Sequence, residues 1–197
     1  MPKRAFFSNL SASWDQQHTR REEMDRLRFF AGHFRLQPGE RVLDIGCGSG
    51  RLIPIVCEQI GPHGSLVELD FAPGMLELGR SKANGNNVTF VAGDAHSLPL
   101  ADRDFDKVIA LALLPHLDNK AAALKEFHRV LKPNGMLVIA HQMGRAALDR
   151  LHGESSEPVR HDRLPESRVL TELLAGAGFS AIEIVDEADQ YIAWGQA

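Results

Sequence analysis

Arg41-Val42-Leu43-Asp44-Ile45 is a short, largely apolar run that opens directly onto Gly46-Cys47-Gly48-Ser49-Gly50. Those glycines let the backbone turn sharply and let a ligand approach it closely, so the pattern predicts a strand, a tight loop and then a helix. The alternation then repeats. Arg51 to Ile60 reads as a helix, with Pro54 near the first turn, where proline is tolerated. Ser65 to Leu69 is a strand ending at Asp70, Pro73 to about Ala83 a helix, and Asn84-Gly85-Asn86-Asn87 its stop. Val88 to Val91 is a third strand closing on Gly93-Asp94, and Lys107 to Leu113 a nearly continuous apolar strand of the kind buried on both faces of a parallel sheet. Asp118 is placed to cap the next helix, whose stripe is Leu124, Phe127 and Leu131. Lys132-Pro133-Asn134-Gly135 reads as a tight turn into a fifth strand, Met136 to Ala140.

After a helix over Ser167 to Ala175 and a Gly176-Ala177-Gly178 stop, two runs, Ala181 to Val185 and Gln190 to Trp194, lie close enough to pair as a hairpin. The predicted fold is α/β: a three-layer α/β/α sandwich, doubly wound, with a mostly parallel seven-stranded sheet and one antiparallel strand near the C-terminus. One domain accounts for all 197 residues. Residues 1–36 are expected to form a helical lid, amphipathic from Ser13 to Phe34. Residues 37–142 form the ligand-binding core, 143–166 an insertion over the pocket, and 167–197 the last helix and hairpin.

A net charge of −4 argues against a nucleic-acid backbone as partner. The Arg-rich stretch from Arg20 to Arg28 alternates with Glu22, Glu23 and Asp25, as a solvated helix face does. Cys47 and Cys57, the two cysteines, give neither a disulfide framework nor a zinc spacing. No apolar run approaches the ~20 residues that span a bilayer, and the basic opening soon turns polar, unlike a signal peptide. The expectation is a cytoplasmic monomer or homodimer with no membrane partner and no metal.

Ligands of open parallel sheets bind beyond the carboxyl ends of the strands, where strand order reverses. Gly46 to Gly50, Asp70, Asp94, Leu111 to His116 and His141 all fall at such ends in this reading. Asp44, just before the loop, can meet a cationic head group and would repel a pyrophosphate. Asp70 can accept hydrogen bonds from both hydroxyls of a ribose. Asp94 can accept from an adenine amine, with the Ala95 N–H available to a ring nitrogen. The dinucleotide fingerprint would want its third glycine at position 51, which is Arg51 here.

Val42 to Gly50 resembles the first motif of class I S-adenosylmethionine methyltransferases, and Leu69-Asp70-Phe71-Ala72-Pro73-Gly74-Met75-Leu76 is similar to the family's acidic-loop segment. Gly93-Asp94-Ala95, Leu98-Pro99-Leu100 and Phe105-Asp106 resemble the third and fourth segments. Glu126 to Gly135 is similar to the segment that ends in RVLKPGG. The likeness spans roughly residues 38–142 and is nearest the subgroup that includes the quinone-ring C-methyltransferases. It implies S-adenosylmethionine as cofactor. Asp44, Gly46, Cys47, Gly48 and Gly50 would hold its methionine end and Asp70 its ribose. Phe71 and Met75 would lie against adenine, Gly93, Asp94 and Ala95 along the adenine edge, and Leu111 beneath. Glu68, where the family often has glycine, and Asn134, in place of the turn's first glycine, are departures.

The sulfonium of that cofactor makes its methyl group electrophilic, so a general base is needed only if the acceptor must lose a proton. His116 and His141 are the candidates for that work. Phe7, Trp14 and His152 are the expected lid and substrate residues. The spacing of the histidines matches no metal-ligand pattern. The expected partner is a small-molecule acceptor methylated by in-line displacement at carbon, oxygen or nitrogen. Two other readings stay open on the residues: a non-catalytic S-adenosylmethionine sensor, and an NAD-dependent oxidoreductase, which Arg51 and Asp44 disfavour.

Overall fold

The structure, a computed structural model, describes residues 3–9, 21–83, 87–155 and 157–197. Trp14, the first part of the helix expected from Ser13, and the turn residues Asn84 to Asn86 lie outside the described residues. Residues 3–9 are helical. Then follow α1 (Arg21–Ala31), a 3-10 turn (Gly32–Phe34), β1 (Arg41–Ile45), α2 (Ile53–Ile60), β2 (Ser65–Asp70), α3 (Pro73–Arg80) and β3 (Val88–Ala92). β4 (Phe105–Leu111), a 3-10 turn (Leu114–His116), α4 (Lys120–Val130), β5 (Leu131–His141), α5 (Arg145–Glu154), α6 (Ser167–Ala177), β6 (Ser180–Glu187) and β7 (Gln190–Gln196) complete the order.

Seven strands form one sheet in the order β3-β2-β1-β4-β5-β7-β6. β1 pairs in parallel with both β2 and β4, and β7 runs antiparallel between β5 and β6. The doubly wound sandwich with its C-terminal hairpin is therefore as expected from the sequence. Because the chain steps outward from β1 to β3 and then returns beside β1 as β4, strand order reverses between β1 and β4. That gap is where a ligand crevice opens in such sheets.

Alternation along the strands divides the core. Leu43, Ile45, Val108, Leu137 and Ile139 face α4 and α6 through Leu124, Phe127, Leu170 and Leu174. Val42, Leu66, Ile109, Val138 and Trp194 face α1 and α2 through Leu27, Phe30, Ile55 and Val56. Apolar residues on both faces are what two helical layers require.

Two local expectations are corrected. Asn119, not Asp118, caps α4: its side chain accepts the Ala122 N–H at 3.0 Å, while Asp118 is engaged by Lys3 at 2.8 Å. Lys132 to Gly135 is not a separate turn but a bulge within β5. Phe105 pairs with Leu131 and Lys107 with Met136, so the intervening residues loop out, with Asn134 at φ 66. Asparagine tolerates the left-handed region better than most residues, which explains why the replacement of glycine is accommodated there. Among the described residues, no helix is long and apolar enough to cross a membrane.

Candidate functional site

A cavity of about 1580 Å³ opens at the carboxyl ends of β1, β2, β4 and β5. The glycine loop forms its floor. Gly46 N and Cys47 N both donate to the Leu69 carbonyl, at 2.7 and 3.1 Å, which ties the loop to β2. Gly46 has φ +70, and a Cβ there would lie 2.8 Å from Leu113 Cδ1; Gly48 has φ +55 with nothing within 4 Å of such a Cβ. The loop is thus packed against Leu113, just past β4, at Gly46 and open at Gly48.

Asp70 completes the fastening. Its Oδ2 accepts the Gly48 N–H at 2.9 Å and its Oδ1 accepts the Ala72 N–H at 2.8 Å. Burial pushes its carboxyl up, against the pull of those backbone bonds. Asp44 is 2% exposed, and burial, with the nearby charge of Asp70, raises it to about 7. Asp94 is more open; its Oδ1 accepts from His96 N at 2.9 Å and lies 2.6 Å from His96 Nδ1, which lowers its carboxyl.

Beneath the loop sits Glu68, fully buried beside the Cys47 thiol; among the described residues neither of its oxygens meets a hydrogen-bond partner of regular geometry. Burial first, then the charge of Asp44, pushes it well above the usual carboxylate range. The Cys47 thiol is likewise pushed up by burial and by the carboxylates of Glu68, Asp44 and Asp70. It is a protonated lining atom rather than a nucleophile.

The far wall is histidine-rich. The His116 and His152 rings meet with centroids 5.1 Å apart and planes tilted by 48°. His141 is 3% exposed and its Nε2 has no partner among the described residues; burial, helped by His116 and His152, lowers it to about 3, so the ring stays neutral. Phe7, from the leading helical segment, packs edge-on against His116 at 5.2 Å and Phe71 at 6.1 Å. Ala112, at the end of β4, holds φ 55, a strained value for alanine of the kind found where backbone meets ligand.

All the expected site residues within the described chain except Gly50 line this one cavity: Phe7, Asp44, Gly46, Cys47, Gly48, Asp70, Phe71, Met75, Gly93, Asp94, Ala95, Leu111, His116, His141 and His152. Gly50 is turned away; a Cβ there would meet Ile53 Cδ1 at 2.5 Å and Gly79 Cα at 3.1 Å, so its smallness serves the packing of α2 on α3. Sequence reasoning missed Lys3, Asp162 and Phe29. Phe29 lines the cavity while 83% exposed, on a helix whose buried stripe already held Leu27 and Phe30; that surplus aromatic is the signal that could have found it.

Residues 43–139, from the middle of β1 to just short of the end of β5, match the family described as the methyltransferase domain. Together with the sheet order and the three strand-end carboxylates, that match decides the family. The chain belongs to the class I S-adenosylmethionine-dependent methyltransferases. A demethylmenaquinone methyltransferase of Staphylococcus epidermidis is 41% identical over 52% of this chain and 43% of its own length. That of Staphylococcus carnosus is 34% identical over 67% of this chain and 56% of its own. The chain thus spans about half the length of the curated relatives it matches. Among solved structures, an S-adenosylmethionine-dependent methyltransferase from Aquifex aeolicus has a TM-score of 0.72 at 20% identity, covering 98% of this chain and 97% of its own. A chain of a Haloferax volcanii complex containing the Trm112 methyltransferase activator reaches 0.80 at 18% identity, covering 97% of both. At those identities the likeness is one of fold.

Proposed function

We propose that this chain transfers a methyl group from S-adenosylmethionine to a small, largely apolar acceptor. The observation that carries the reading is the convergence of Asp44, Asp70 and Asp94, from the ends of successive strands, on one cavity floored by the glycine loop. The residues suit the cofactor. Asp44 is a buried carboxylate for a cationic methionine end, and Gly48 leaves open space for close approach. Asp70 keeps lone pairs for the ribose beyond its two backbone bonds, and Asp94 with Ala95 lies at the edge suited to adenine. When bound, S-adenosylmethionine supplies an electrophilic methyl group that passes in line to the acceptor.

What this chain adds is position and exclusion of water, which account for much of the catalysis in such transfers. Phe71, Met75 and Leu111 offer the apolar surface for the adenosine. The acceptor chamber lies beyond them, between Phe7, Leu148, Leu151 and the three histidines. In this reading residues 3–9 and the segment 143–166 close over it. Phe7, His141, Leu148, Leu151 and His152 lie outside the stretch that matches the family. The acceptor is therefore set by this chain's own wall, and a demethylmenaquinone-like ring is one apolar candidate among others.

Calorimetric titration with S-adenosylmethionine, S-adenosylhomocysteine and NADH tests the reading. Micromolar binding of the first two and none of the third is expected. Binding of NADH alone, or of none of the three, would sink it.

A further inference from the structure

Three separate parts of the chain meet at one carboxylate in the chamber wall. Asp162 lies in the segment between α5 and α6 and is 8% exposed. Its Oδ2 stands 2.6 Å from His116 Nδ1, and its Oδ1 accepts from Lys3 Nζ at 2.8 Å. Its backbone carbonyl lies 3.0 Å from His152 Nδ1. Lys3 also donates to the His116 carbonyl at 3.0 Å and to Asp118 at 2.8 Å, so it joins the leading segment to both sides of the pair.

These contacts dictate where the protons sit. A carbonyl can only accept, so His152 Nδ1 carries its hydrogen. Asp162 is held below the usual carboxylate range by His116 and Lys3 in spite of its burial, so it too can only accept. His116 Nδ1 is therefore the donor, and a neutral His116 ring presents its lone pair at Nε2, on the opposite edge. An imidazole oriented in this way, in a chamber wall shared with Phe7, Leu148, Leu151 and the other two histidines, is set to take a proton from an acceptor.

Building on the methyl-transfer reading, we propose that His116 is the general base for a hydroxyl-bearing aromatic or enolic acceptor, with Asp162 as the residue that positions it. In the step, the acceptor O–H bond breaks and its electron pair stays on oxygen. The proton forms a bond to His116 Nε2, and Asp162 faces the resulting imidazolium. Lys3 positions Asp162, so the base is assembled only when the leading segment is docked.

The test has two independent arms. Long-range proton–nitrogen NMR on the protein with S-adenosylhomocysteine, His116 being assigned with H116Q, reads the tautomer of the neutral ring. The proton is expected on Nδ1 in the wild type and to shift toward Nε2 in D162N. A wild-type ring protonated on Nε2 overturns the proposal whatever the activity. The second arm compares catechols and naphthols with nitro-substituted counterparts already ionised at the assay pH, following S-adenosylhomocysteine release. H116Q and D162N should slow the un-ionised acceptors by ~100-fold and barely affect the ionised ones, with S-adenosylhomocysteine affinity unchanged. Equal losses on both sets, or turnover of neither by a wild type that binds S-adenosylhomocysteine, overturn the proposal. A wild type that binds neither S-adenosylmethionine nor S-adenosylhomocysteine refutes the methyl-transfer reading instead, and the tautomer, read in the free protein, then judges the pair on its own.

Discussion

Asp70, the last residue of β2, accepts the backbone N–H of Gly48 at 2.9 Å, so the second strand holds the loop that leaves the first. The same carboxylate accepts the Ala72 N–H at the start of α3. It is a structural tie before it is a ligand contact, and the two roles are separable by substitution.

Asp70→Ala removes the carboxylate that accepts both backbone N–H groups. It is expected to destabilise the fold by about 2 kcal/mol, because bonds to a charged acceptor are worth ~1.5–3 each and the burial of the carboxylate offsets part of that. S-adenosylmethionine affinity should fall at least tenfold. Denaturant melts and calorimetric titration check the two effects. A variant with unchanged stability and unchanged affinity would remove Asp70 from both roles.

Asp44, raised by burial and by Asp70 to about 7, is partly protonated near neutrality. A cationic methionine end favours its ionised form, so binding should release a proton. Affinity should therefore rise as the pH climbs from 6 toward 8. Titration in buffers of different ionisation enthalpy measures that proton directly, and Asp44→Asn should abolish its release. Affinity independent of pH across that window would contradict the assignment.

Glu68 keeps its proton in the folded state, where burial raises its carboxyl, and loses it in the unfolded chain above the ordinary value of 4.5. Each step up in pH past that value therefore favours unfolding. Glu68→Gln removes the penalty and should stabilise the protein by on the order of 1–3 kcal/mol at pH 7.5. The advantage should vanish near pH 4. Chemical denaturation at the two pH values shows it; a Gln variant less stable at pH 7.5 would mean that the carboxylate has a partner worth keeping.

His141 works in the opposite direction. Its ring is held neutral down to about 3, whereas the unfolded chain takes up a proton near 6.5. Wild-type stability should thus fall by up to about 1.4 kcal/mol per pH unit below 6.5 on this account alone. His141→Gln should flatten that part of the slope between pH 6.5 and 5. Parallel slopes for the two proteins would show that the ring is not buried neutral.

The strand ends could be read because the signals are local. Val42 to Gly50 and Ser65 to Asp70 each carry their own strand and stop, so Asp44 and Asp70 could be placed without knowing the tertiary contacts. Asp118 and Asn119 are both competent caps, and the choice between them depended on Lys3, far away in sequence. Lys132 to Gly135 has turn chemistry, yet the pairing of Leu131 with Phe105 draws it into a strand. Asp162 gave no signal, since a carboxylate in an aperiodic segment looks like any surface residue until folding sets it beside His116.

Among the described residues, β6 is joined to the rest of the sheet by β7 alone. Its backbone amides therefore find their strand partners on β7. In hydrogen exchange this makes the hairpin a single detachable leaf: β6 either exchanges first, by fraying from β7, or leaves together with it. Protection lasting longer in β6 than in β7 would require an attachment that the sheet does not provide.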